Sequence, residues 1–137
     1  MEFNKGLVKK FKAVAAILPY RIVKFGANDT TVITAVAVTD ALIGVSDQVG
    51  YDPTGANTSN NRYPEASCEV LLDGGALITY GGTVVRGDQL TCDAVGRAVT
   101  ATPAVGVNNR IIGVAMRDGV IGDIGTVLIR GGSSIQG

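Results

Sequence analysis

Hydrophobic positions along this chain come in short runs of aliphatic and β-branched residues that glycines interrupt or end. One pattern occurs twice. Ile43-Gly44-Val45 is followed by Glu69-Val70-Leu71-Leu72-Asp73-Gly74-Gly75, and Ile112-Gly113-Val114 by Thr126-Val127-Leu128-Ile129-Arg130-Gly131-Gly132. Each copy reads as a Gly-interrupted strand, a connection, an apolar strand and a Gly-Gly turn. Ile43 to Cys68 is 25 positions and Ile112 to Gly125 is 13, so the first copy is 12 residues longer. The excess falls in residues 50–64, a run of Asn, Ser, Thr, Gly and Pro without periodicity that reads as an exposed loop. Loops on rigid scaffolds often carry binding function. Tyr51, Asp52, Asn57, Asn60, Asn61, Arg62 and Tyr63 are therefore candidate contact residues.

The same reading places strands over residues 20–25, 30–38, 42–45, 68–72, 76–80, 83–85, 89–92, 97–102, 110–116 and 126–130. Turns separate them, at residues 26–29, 87–88 and 93–96 among others. Short strands at close spacing predict an all-β fold, a small barrel-like sandwich of antiparallel strands over residues 20–137. A parallel α/β sheet does not fit, because no helical pattern alternates with the strands.

Residues 1–19 read differently. Phe3, Leu7, Phe11, Val14 and Leu18 share one helical face, with Lys5, Lys9 and Lys12 elsewhere on the wheel. Gly6 weakens that helix and no strong cap precedes it. The alternative is an extended basic arm that orders only on a partner. Pro19 separates the segment from the body, so removing residues 1–18 is expected to leave the body folded.

Composition sharpens this picture. The 137 residues suit one domain with one sizeable core. Aromatics are 5% and Trp is absent, so the core must come from Val, Ile, Leu and Ala. Histidine is absent, which removes the commonest general base, metal ligand and pH switch together. Cys68 and Cys92 lack metal-ligand spacing; they could pair, but without a secretion signal the better reading is two free, half-buried thiols acting as small hydrophobes.

Net charge is zero, yet the charges are segregated. All five lysines lie in the first 24 residues, which carry six positive charges against one negative. Residues 25–137 hold six arginines against eleven acidic residues. A basic leader on an acidic body suits an acidic partner surface. The apolar run at residues 13–18 is too short for a secretion signal, and no stretch reaches the ~20 apolar residues of a membrane helix. The expectation is a soluble chain made in the cytosol.

Candidate chemistry is sparse. Residues 119–125 have the glycine density of a phosphate loop, but no Lys-Ser/Thr pair and no helix follows, so tight turns are the better reading. Asp88, Asp93, Asp118 and Asp123 sit beside Gly or in turns, where Asp caps the backbone. Cys92 lacks a histidine base. No catalytic, cofactor-binding or metal-ligating residue is expected. Lys5, Lys9, Lys10 and Lys12 lack the stacking platforms or recognition helix of nucleic-acid modules. A protein-docking arm is preferred over nucleic acid or a membrane, with Phe3, Leu7 and Phe11 as apolar anchors and the lysines as steering charges.

The second half resembles the small capsid decoration, or cement, proteins of tailed bacteriophages. The resemblance rests on Gly82-Thr83-Val84-Val85-Arg86-Gly87-Asp88-Gln89-Leu90-Thr91 and Asp93-Ala94-Val95-Gly96-Arg97-Ala98-Val99. Ile112-Gly113-Val114-Ala115-Met116 and Gly122-Asp123 leading into Thr126-Val127-Leu128-Ile129 continue it, and Thr39-Asp40-Ala41-Leu42-Ile43-Gly44-Val45 looks like an earlier copy. It covers roughly residues 20–132. It implies a β-tulip domain that trimerises and binds the outer surface of the virion, where major capsid subunits meet, stabilising the shell against internal DNA pressure. It carries over no catalytic residue, and it assigns no role to residues 1–18 or 50–64. A receptor- or glycan-binding module of a phage tail or fibre is the rival reading, and it would place function in residues 50–64.

Overall fold

A computed structural model describes residues 6–13, 17–47 and 67–137. The described residues form ten strands and no helix: β1 (Val8–Ala13), β2 (Ile22–Phe25), β3 (Thr31–Thr34), β4 (Leu42–Ser46), β5 (Ser67–Leu71), β6 (Gly74–Thr79), β7 (Gln89–Cys92), β8 (Ala98–Thr100), β9 (Asn108–Ala115) and β10 (Ile124–Gln136). The expected all-β fold is what forms. The strands divide into a closed barrel, β1-β3-β2-β4-β5, and a five-stranded sheet, β6-β10-β9-β7-β8. Pairing is antiparallel except between β1 and β3.

The doubled pattern is a doubled strand pair. Val45 faces Leu71 in the barrel, and Val114 faces Leu128 in the sheet. These positions correspond in the two sequence copies, so the 12-residue difference lies wholly between the paired strands. The glycine common to both copies has a packing reason. A Cβ at Gly44 would collide with the Leu71 carbonyl oxygen, and one at Gly113 with that of Leu128. Only a residue without a side chain lets the two backbones approach so closely.

Strand alternation sorts the barrel residues between two cores. Phe11, Ala13, Ile17, Val23, Val32 and Val70 fill one cluster within the barrel strands. Their neighbours Ile22, Val45 and Leu71 belong to a larger cluster with Ile78, Tyr80, Leu90, Ile112, Val127 and Ile129 of the sheet. Barrel and sheet therefore share one core.

The first strand is where the structure departs most from expectation. Val8–Ala13 is neither a helix nor a free arm. It pairs with β5 from Val8↔Leu71 to Lys12↔Ser67 and with β3 at Lys12↔Thr31 and Ala13↔Val32. The physical reason is the alternation Lys10-Phe11-Lys12-Ala13: the lysines are exposed and Phe11 and Ala13 are buried. Gly6 also has a strand-level use, since its N–H donates to Asp73 O at 3.3 Å and a Cβ there would crowd that carbonyl. Pro19 does not divide two domains, because Ile17 packs in the barrel cluster.

Smaller departures have equally local causes. Gly131 and Gly132 are not a turn; they lie in β10, where the register against β9 shifts between Ile129 and Ser133. Residues 83–85 make only an isolated bridge, Val84↔Gly119. That bridge is one link in a longer pairing. Gly74 to Thr79 face Ile129 to Ile124, and Gln89 and Leu90 face Val114 and Gly113. Backbone bonds join Tyr80 to Asp123 and Ala115 to Asp88 between them, at 2.8 Å each. Residues 74–90 thus run against residues 113–129 in one register.

Candidate interaction surface

The candidate contact residues of the N-terminal segment separate into three groups. Phe3 and Lys5 lie outside the described residues. Phe11 is a core residue, 5% exposed, and not a free anchor. Its ring meets Phe25 edge-on at 6.0 Å and carries the Lys9 ammonium 5.2 Å from its centroid. Leu7, Lys9, Lys10 and Lys12 are exposed. β1 thus puts one aromatic inside the barrel and a row of lysines outside it, with Leu7 at its start and half-exposed Phe25 nearby.

Lys24 on β2 is engaged rather than displayed. Its ammonium is 3.1 Å from Asp40, whose carboxylate also accepts the Val36 and Ala37 N–H groups at 3.0 Å. Burial pushes the Asp40 carboxyl up, but these bonds outweigh it and hold the group below the usual carboxylate range.

The loop candidates Tyr51, Asp52, Asn57, Asn60, Asn61, Arg62 and Tyr63 all lie outside the described residues. Sequence reasoning missed an open cleft of about 270 Å³, lined by Leu18, Arg21, Thr34, Val36, Ala94 and Val95. It forms where the β7–β8 turn meets the barrel. Arg21 donates to Val95 O at 2.9 Å, while its Nε is buried without an acceptor. Burial lowers its pKa, helped by nearby Arg97 and opposed by Asp93. The signal was available in Leu18, Val36 and Val95, apolar residues in the segments between strands, but only the fold brings them together.

The aspartates and the thiol are structural. Asp88 accepts from Val85 N–H and the Thr100 hydroxyl, and Asp123 accepts from Val120 N–H. Asp93 accepts from the Val95 and Arg97 N–H groups and from the Arg97 guanidinium. Asp118 pairs with Arg86 at 2.8 Å and accepts its backbone N–H. Cys92 is free and buried, and its thiol donates to Ala37 O at 3.1 Å. Burial, with Asp40 and Asp93 adding to it, pushes that thiol up to about 11, far from a thiolate at neutral pH. The Cys68 side chain lies outside the described part of the molecule. Among the described residues no cluster of His, Cys, Asp or Glu has the makings of a metal site.

The glycine-dense residues 119–125 are turn geometry with a second purpose. Gly122 has φ +90°, as the third residue of a turn closed by Asp123 N–H to Val120 O at 3.0 Å. Gly119 and Gly125 pack on the Tyr80 ring, where a Cβ would collide with it. Tyr80 is fully buried and its hydroxyl donates to Arg117 O at 2.8 Å. No phosphate cradle is built here.

No protein-family model matches the chain. No curated protein matches it either. Among solved structures it is similar to the head fiber gp8.5 N base in bacteriophage phi29, with a TM-score of 0.51 and 15% sequence identity. The similarity covers 90% of this chain and 93% of that one. Barrel and sheet together therefore make a fold that also occurs in a component of a phage head fibre.

Proposed function

We propose that this protein is a non-enzymatic structural component of a bacteriophage head. It binds the outer surface of the assembled shell between major capsid subunits and stabilises it. The observation that carries this reading is the fold shared across nine-tenths of the chain with a head-fibre base. The exposed lysines of β1 agree with it, because a docking protein needs a rigid body and a complementary patch rather than chemistry.

Lys9, Lys10 and Lys12, with Leu7, are the proposed contact residues; all are exposed on or beside one strand. Each exposed ion pair contributes about 0–1 kcal/mol, so affinity would come from several copies acting together. The charges chiefly raise the association rate, which makes binding salt-sensitive. Phe11 has a different task, holding β1 in the barrel.

The test is binding of the purified chain to shells of its own phage that lack it, followed by cryo-electron microscopy. Wild type is expected at fixed sites on the shell. Lys9→Glu/Lys10→Glu should weaken binding about 10-fold or more at low salt, with little change at high salt. Heads that burst at the same temperature with and without bound protein would contradict the stabilising role. Density on the tail alone would overturn the assignment to the head.

A further inference from the structure

The cleft where the β7–β8 turn meets the barrel has walls that are fixed in advance. Three aliphatic side chains, Leu18, Val36 and Val95, line it, each 41–51% exposed. A separate polar cap holds each of them in place. Buried Ser46 clamps residues 18–21. Its hydroxyl donates to Leu18 O at 2.8 Å and accepts the Arg21 N–H at 3.0 Å, while its carbonyl accepts the Tyr20 N–H at 2.9 Å. Asp40 accepts the Val36 N–H and Asp93 the Val95 N–H, at 3.0 Å each. Between Leu18 and Arg21 the backbone of Tyr20 has φ +63°, in the left-handed region that residues with a side chain rarely adopt. The clamp thus holds a conformation in which Leu18 and Arg21 both line the cleft. Such walls lower the ordering cost of binding.

We propose that this cleft binds an extended peptide segment of a protein partner, one that carries a carboxylate beside an aliphatic side chain. Charge selects that occupant. The carboxylates that hold the walls are each spent on another cation, Asp40 on Lys24 at 3.1 Å and Asp93 on Arg97 at 2.8 Å. Arg21 is left over, since among the described residues it makes no ion pair. Of its five guanidinium N–H groups, one on Nη1 donates to Val95 O at 2.9 Å, and the Nε group is buried without an acceptor. A carboxylate entering the cleft supplies the acceptor and the opposite charge together, in the planar geometry that a guanidinium matches.

Size and position restrict the occupant further. A cleft of about 270 Å³ lies below the ~300–1,000 Å³ of pockets that enclose a drug-sized molecule, and it suits one or two side chains. The apolar walls take the aliphatic group and the guanidinium its acidic neighbour. The site is separate from the lysine row of β1. Parallel pairing sets Lys12 against Thr31. Thr34 therefore lies six residues of strand beyond Lys9, three from Lys9 to Lys12 and three from Thr31 to Thr34, or about 20 Å along the barrel.

Nitrogen–proton NMR on the full chain tests this. The probe is a capped pentapeptide of sequence glycine-leucine-aspartate-leucine-glycine, and the control is the same peptide with lysine for aspartate. The aspartate peptide is expected to shift the Thr34, Val36, Ala94 and Val95 amides and the Arg21 Nε–H, and the lysine peptide to leave them in place. Arg21→Gln should weaken binding about 10-fold. Val36→Glu sets a carboxylate at the cleft with Arg21 and should weaken binding by about as much, with an unchanged melting curve because the side chain is exposed. No shift at the solubility limit of the aspartate peptide would overturn the proposal. So would an equal response to both peptides, or wild-type affinity in Val36→Glu. Shifts centred on Lys9 and Lys10 would overturn it too, by giving the carboxylate to the lysine row. No phage particle enters the assay, so its outcome is independent of the assignment to the head.

Discussion

The barrel and the sheet each contain one copy of the same strand pair, yet they end up as different objects. In the barrel, β4 and β5 are joined by β1, β2 and β3 until the edges close. In the sheet, β9 and β10 are flanked by β7 and β6, and one apolar face rests on the barrel. The pairing Val45↔Leu71 and its counterpart Val114↔Leu128 are equivalent, so the pair alone does not decide between closure and an open sheet. The neighbours decide. Beyond Leu71 the chain turns at Asp73 and leaves the barrel for β6 of the sheet, whereas beyond Leu128 it passes through a bulge into more strand.

Opening the barrel should do the most damage. Deleting residues 1–13 removes β1 and with it Phe11 and Ala13 from the barrel cluster. The shared core makes loss of the whole cooperative transition the expected result, seen by circular dichroism and calorimetry. A sheet that still melted cooperatively would show that the two parts are independent.

Tyr80→Ala comes next. It empties a fully buried site in the shared cluster and should cost about 3–5 kcal/mol in denaturant unfolding. Tyr80→Phe removes only the hydroxyl, with its bond to Arg117 O at 2.8 Å and its longer one to Thr126 O at 3.5 Å, and should cost about 1 kcal/mol.

Gly44→Ala and Gly113→Ala ask whether the two copies are energetically alike. Each drives a methyl group into a facing carbonyl, so each should cost about 3 kcal/mol. Gly87→Ala is the control: nothing lies within 4 Å of its Cβ, and only its positive φ opposes the change, for about 1 kcal/mol. Equal losses at Gly44 and Gly87 would refute the close-approach argument.

The smallest effect concerns pH. The folded pKa of Asp40 is lowered, so its contribution is complete above the unfolded value of about 3.9 and is lost as pH falls through the folded value. The stability gap between wild type and Asp40→Asn should therefore shrink below about pH 4. A gap independent of pH would mean that the Lys24 and backbone bonds to Asp40 do not stabilise the fold through its charge.

Most strands and turns were legible because their signals are local. Residues 42–45, 89–92 and 97–102 are short segments set off by turn residues such as Asp40, Gly87-Asp88 and Asp93–Gly96, and the structure has strands there. The turn roles of Asp88, Asp93 and Asp123 were legible for the same reason, since each carboxylate caps N–H groups within four residues. β1 was not legible. Its partner β5 lies more than fifty residues away in sequence, and Phe3, Leu7 and Phe11 happen to repeat at helical spacing. The two tight turns flanking Val84 were visible as Gly-Asp pairs, but their mutual pairing was not. The bridge between Val84 and Gly119 had no counterpart in the linear pattern, because the two residues meet only through the register.

The lysines of the described residues all sit on β1 and β2, and none on the five strands of the sheet. Amine-reactive reagents therefore address the molecule by region. A dye, cross-linker or activated bead that targets lysine ammonium groups would attach to the barrel and leave the sheet unmodified. Immobilised in this way, the protein presents its sheet to solution in a defined orientation, a practical route to examining one side of it at a time.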